Sequence, residues 1–134
     1  MVRVHGHRTA SPPIESFGLQ PVVSLEELLE MRRTVQAIRL EDPVVDYVMD
    51  LVRATRGRPA LLCGASPRAA SMLATAARAR AALSGRAFVI PDDVKTLALP
   101  VLRHRVVLAP GAEIEGMTTE LVVRRVVEEV EAPR

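Results

Sequence analysis

Apolar residues recur with a helical period along most of the chain, and local start and stop signals divide that pattern into elements. Leu25, Leu28, Leu29, Val35 and Ile38 share one face, while Glu26, Glu30, Arg32, Arg33 and Arg39 fall largely on the other. Ser24 and Glu27 have the spacing of a capping box, and Val23 with Leu28 the spacing of a hydrophobic staple, so the first helix starts at Ser24. A second helix is predicted from Asp42 as cap, with Pro43 at the first helical position, where a missing N–H costs nothing. Its stripe is Val44, Val48, Leu51, Val52 and Thr55, and Gly57 and Pro59 end it. A third runs from Ser66-Pro67 to Ser84-Gly85 and holds eight alanines, the best helix formers, small enough for a close neighbour. A fourth begins at Pro91, with Val94, Leu97, Ala98, Val101 and Leu102 on one face, and Pro100 should kink or divide it. Val106 to Leu108 reads as a short extended segment before a turn at Ala109-Pro110-Gly111. Valine favours strands, but Val122, Val123, Val126, Val127 and Val130 repeat at helical spacing, which predicts a last helix.

The prediction is an all-α bundle of about five helices over residues 24–134. An irregular lead-in over 1–23 carries Pro12, Pro13 and Pro21. A chain of 134 residues suits one domain. With 49% apolar and 25% charged residues, disorder is not expected. Aromatics are only 2%, so the core must be built from Ala, Val, Leu and Ile, and binding of single strands by base stacking is disfavoured. Leu28 and Leu97 are expected in that core. No apolar run approaches the roughly 18 residues of a membrane span, and the first residues lack a signal peptide's apolar middle. The single Cys63 fits a reducing compartment and reads as a small core residue. The expectation is a monomeric cytoplasmic domain with no membrane contact.

Charge distribution changes the picture more than the net charge of +2 does. Seven arginines (53, 56, 58, 68, 78, 80 and 86) and no carboxylate lie between Asp50 and Asp92. One reading is a set of solvated helix faces; the other is a surface that meets an anion or an acidic partner. Arg68 stands out because it is the second helical residue after Ser66-Pro67. A cation at that positive end of the helix dipole costs a few tenths to about 1 kcal/mol, unless a phosphate occupies the site. A surface arginine turned to water remains the alternative. His5 and His7 form an H-x-H pair without further ligands, so no metal site is expected. Asp92 and Asp93 lie in a first helical turn, where acids suit the dipole. Arg103 and Arg105 flank His104 at a helix end, where cations are favoured, and could also meet a partner. There is no Walker-type phosphate loop, no G-x-G-x-x-G turn and no nucleophile–base constellation, so no catalytic residue is assigned in this chain.

Several runs carry a resemblance to a known family. They are Val52 to Arg56, Leu61 to Ala69 with its Gly64-Ala65-Ser66-Pro67-Arg68-Ala69 core, Val89 to Lys95, and Pro100 to Arg105. In order and spacing, from about Pro21 to Val130, they resemble the C-terminal helical lid of MoxR-type AAA+ ATPases. Residues 7–20 resemble the segment that joins the family's ATPase core to the lid. The resemblance implies a lid that closes over a nucleotide site in a hexameric ring, coupling ATP hydrolysis to chaperone-like maturation of client proteins. It implies ATP with Mg²⁺ held by a core outside this chain, partner cores from the same and the neighbouring subunit, and a von Willebrand factor A domain protein as a further partner. Arg68 matches the sensor 2 arginine, with Ser66, Arg56, Arg103 and Arg105 as supporting candidates. Ile90 departs from the family's usual Thr before Pro-Asp-Asp and loses a side-chain cap. The alternative reading is an independent helical module that grips an acidic partner or nucleic acid through its Arg53–Arg86 segment.

Overall fold

The structure is a computed structural model and describes residues 14–133. The H-x-H pair and the first part of the lead-in lie outside those residues. The chain forms two compact units with their boundary between Met31 and Arg32. The first holds a 3-10 turn, Ile14–Phe17, and the start of helix α1, Leu25–Ala37. The capping box that begins α1 is complete. The Ser24 N–H donates to Glu27 Oε2 at 2.7 Å, and the Glu27 N–H donates to Ser24 Oγ at 3.2 Å. Of the apolar stripe predicted for α1, Ile38, just past the helix end, is buried in the core, and the residues within the helix are not. No residue of the helix is buried, and Leu28 is 45% exposed. Local sequence makes the helix amphipathic; it does not supply the surface that covers it.

The second unit contains α2 (Asp42–Arg56), β1 (Leu61–Cys63), α3 (Pro67–Leu83), α4 (Pro91–Leu102), β2 (Val107–Leu108), α5 (Pro110–Ile114) and α6 (Thr119–Glu129). The fold is all-α apart from one two-stranded antiparallel ribbon that pairs Leu61 with Leu108 and Cys63 with Val107. α2 begins one residue earlier than expected, with Glu41 as N-cap, Asp42 already helical and Pro43 in the first turn. Its buried side chains are those of the predicted stripe, together with Tyr47. Leu51 and Val52 of α2, Leu73 and Ala77 of α3, Val94, Ala98 and Leu102 of α4, and Val122, Val123 and Val126 of α6 form one apolar cluster. Ala69, Ala77 and Ala81 are fully buried along α3, which packs chiefly on α4. Burial of methyl-sized side chains permits that close approach.

Other expectations need correction. Pro100 does not divide α4, because it lies in the last turn, and the ladder resumes where the Arg103 N–H donates to the Leu99 carbonyl at 3.0 Å. Ala109-Pro110-Gly111 opens a short helix and not a simple turn, with Pro110 in the first-turn position that suits it. Cys63 is exposed, because β1 is too short and too peripheral to bury both of its faces. Leu97 is only partly buried, packed against the edge of the core. Among the described residues, no helix is long and apolar enough to cross a membrane.

Candidate functional site: the corner between α2 and α3

The Gly-Ala-Ser-Pro-Arg-Ala run forms the corner where the chain leaves β1 and enters α3. Gly64 is pressed against the end of α2. A Cβ built there would lie 2.7 Å from Arg56 Cα and 2.8 Å from its backbone nitrogen, so no side chain fits without moving backbone. Ala65 follows, fully buried, with both polar groups held from α2. Its N–H donates to Thr55 Oγ1 at 2.9 Å, and its carbonyl accepts from Arg56 Nε at 2.9 Å. Ser66 is the N-cap of α3, but its hydroxyl makes no capping bond. Pro67 fixes φ in the first turn, Arg68 comes next, and the Ala69 N–H donates to the Ser66 carbonyl at 2.9 Å. Ala69 and Ala70 turn inward to the core, and Arg68 is exposed. Among the described residues, Arg68 makes no side-chain hydrogen bond or ion pair.

That freedom distinguishes Arg68 from most of the carboxylate-poor stretch around it. Arg53 pairs with Asp50 at 3.2 Å, and Arg58 forks onto Glu129 at the end of α6. Arg86 holds Asp93 by two bonds of 2.8 and 2.6 Å, and Arg80 approaches the same carboxylate at 3.3 Å. Three carboxylates outside the segment, Asp50, Glu129 and Asp93, thus pair with four of the seven arginines, so the segment is not the continuous basic face that an anion-gripping module requires. Asp93, in turn, is more than a dipole partner in α4. It is 2% exposed, and its carboxylate also accepts the Ile90 N–H at 3.0 Å, which is half of a capping box. Burial pushes this carboxyl up, but Arg86, the Ile90 N–H and Arg80 outweigh burial and hold it below its ordinary range. This reciprocal bond stands where the Ile90 side chain offers no cap.

The supporting candidates divide. Ser66 and Arg56 belong to the corner, Arg56 with its Nε engaged by Ala65. Arg105 leans onto α3, where it donates to Met72 Sδ at 3.0 Å and also contacts His104. Met72 lies one helical turn beyond Arg68, so Arg105 shares the neighbourhood of the α3 start. A thioether is a weak acceptor that a phosphate oxygen would displace. Arg103 shows no such contact with α3. Glu120 at the start of α6 is held below the ordinary carboxylate range first by its hydrogen bond to Arg124, and the Arg103 charge adds to that effect. The sequence placed Thr55 in the stripe of α2 and Gly64 in the run before α3, but not their contacts at this corner. A threonine in the apolar stripe of α2 is the one signal that a buried hydroxyl there needed partners. No cluster of three or more possible metal ligands occurs among the described residues.

Fold and corner together define a small helical domain in which, among the described residues, the arginine on the first turn of α3 has no side-chain partner. A family model described as the AAA lid domain matches residues 53–126. The chain belongs to the AAA lid domain family. It is 40% identical over 123 residues to the uncharacterized protein YeaC of Bacillus subtilis, covering 92% of this chain and 38% of that protein. It is 36% identical over 123 residues to chaperone MoxR1 of Mycobacterium tuberculosis, covering 84% of this chain and 32% of the relative. Among solved structures it superposes with a TM-score of 0.80 on a "putative ATPase" of Cytophaga hutchinsonii, at 29% identity, covering 99% of this chain and 42% of that one. The chain thus spans about two fifths or less of the proteins it matches.

Proposed function

We propose that the chain works as the lid of a MoxR-type AAA+ ATPase and that Arg68 is its sensor 2 arginine, reaching the γ-phosphate of bound ATP. The carrying observation is the exposed, unpaired guanidinium on the first turn of α3, at the positive end of the helix dipole. A phosphate there would meet the dipole and the guanidinium together. Arg105 is the second cation near that position; Ser66 frames the turn, and Arg103 is the weakest supporting candidate. ATP supplies the phosphoryl chemistry, and Mg²⁺ belongs to an ATPase core, since this chain has no phosphate-binding loop. The lid itself binds ATP weakly and does not hydrolyse it. In the assembled protein it helps form a homo-oligomeric ring, proposed as a hexamer, contacts its own and a neighbouring core, and serves chaperone-like maturation of clients in the cytoplasm with a von Willebrand factor A domain partner. Residues 1–23 are proposed as the lead-in and 24–134 as the lid.

Turnover tests the reading. Arg68→Ala in the full-length ATPase should lower ATP hydrolysis about 10- to 1,000-fold, or about 1.4–4 kcal/mol of barrier. Arg68→Lys should restore little, because an ammonium does not reproduce a planar fork. Rings mixed from Arg68→Ala subunits and subunits with a dead Walker B should regain some activity if the arginine serves a neighbour. Wild-type turnover by intact Arg68→Ala rings would reduce Arg68 to a surface residue.

A further inference from the structure

We propose that Thr55 and Arg56 are positioning residues for Arg68, fixing from the end of α2 the direction in which α3 starts. The inference rests on the reading that Arg68 meets a phosphate, and it adds what aims that side chain. Thr55 is fully buried, one of only two buried polar or charged residues among those described. Its hydroxyl donates to the Val52 carbonyl at 2.6 Å and accepts the Ala65 N–H at 2.9 Å, so both of its functions are used. A hydroxyl at zero exposure is costly without such partners, and a valine of nearly the same shape would fill the space as well. The bond to Ala65 is therefore what a threonine adds over an apolar residue.

Arg56 completes the grip. Its Nε holds the carbonyl of the same residue whose N–H Thr55 holds, so Ala65 is fixed on both sides by consecutive residues of one helix. Gly64 allows this, because a Cβ there would strike the Arg56 backbone. From Ala65 only Ser66 and Pro67 intervene before Arg68, and Pro67 has little torsional freedom. Ser66 makes no side-chain cap that would orient the helix start independently. Core packing of Ala69 and Ala70 holds the body of α3, and the clamped Ala65 ties the turn that carries Arg68 to α2. Catalytic geometry tolerates displacements of about 0.5 Å, and a shift near 1 Å can cost about 100-fold in rate.

Two measurements decide the matter. In the 134-residue chain, amide hydrogen exchange should show Thr55→Val speeding exchange at Ala65 at least about tenfold beyond any change at Val123 and Val126, whose amides report global opening. Thr55→Ser should restore protection, and Arg56→Ala should loosen the Ala65–Arg68 turn in the same way. Equal acceleration at Ala65 and in α6 would make Thr55 a core residue and nothing more. In the full-length ATPase, Thr55→Val should lower kcat about tenfold with little change in KM when Arg68 is present, and less than about twofold in an Arg68→Ala background. Equal losses in both backgrounds would overturn the positioning role. If Arg68→Ala alone leaves turnover unchanged, the phosphate reading beneath the proposal fails. The exchange result would then show a clamp with no catalytic side chain to aim.

Discussion

Asp93 illustrates how a single side chain holds three parts of the molecule. It lies in the first turn of α4, and it draws in Arg86 from the α3–α4 connection and Arg80 from the end of α3. Removing it leaves two neighbouring cations without their shared carboxylate. Breaking a fully buried pair costs about 3–5 kcal/mol, but both arginines retain access to water, so Asp93→Ala is expected to cost about 2–3 kcal/mol in urea unfolding. The pH dependence has a definite sign. The folded carboxyl lies below its unfolded value of about 4, so its contribution is fully present above about pH 4 and fades as pH falls through the lower folded value. The stability difference between wild type and Asp93→Asn should therefore shrink as pH falls below about 4. A constant difference over that fall would show that the ion pair does not contribute.

Elements differ in how strictly their neighbours constrain them. Leu51 and Leu73 are fully buried in α2 and α3, so truncation of either to alanine should cost about 2–5 kcal/mol. Leu28→Ala in α1 should cost under about 1 kcal/mol, because the side chain is nearly half exposed already. The same substitution thus separates a covered stripe from an uncovered one. On α3, the alanines act as spacers against α4. Ala77→Leu should destabilise by about 1–3 kcal/mol by forcing the helices apart, measurable as a lower thermal midpoint. Gly64→Ala should also lower it, through the clash with the Arg56 backbone, and should disturb Ala65 and Arg68 before more distant parts of the fold.

In the whole molecule, stability and function fall on different arginines. Arg58, Arg80 and Arg86 tie elements together, whereas Arg68 has no side-chain partner among the described residues. Arg68→Ala in the isolated chain should therefore melt at the wild-type temperature or slightly above it, since a cation leaves the positive end of α3. A clearly lower midpoint would mean that Arg68 has a structural partner after all.

The helices were legible because their causes are local. The Ser24–Glu27 capping box, the Pro67 and Pro91 starts, and the valine spacing of α6 act within a turn or two, where sequence distance and spatial distance agree. Arg68 was legible for the same reason, as a cation on the wrong end of a helix. Tertiary structure alone decided the long-range charge pairs and the coverage of the apolar faces. Nothing near Arg58 in sequence points to Glu129, and nothing near Thr55 points to the Ala65 N–H. Such pairs depend on how helices pack, and packing is a sum over the whole core that no local window contains. The amphipathic face of α1 was written in its sequence; whether anything covers it was not, because burial belongs to two surfaces and a sequence window describes only one.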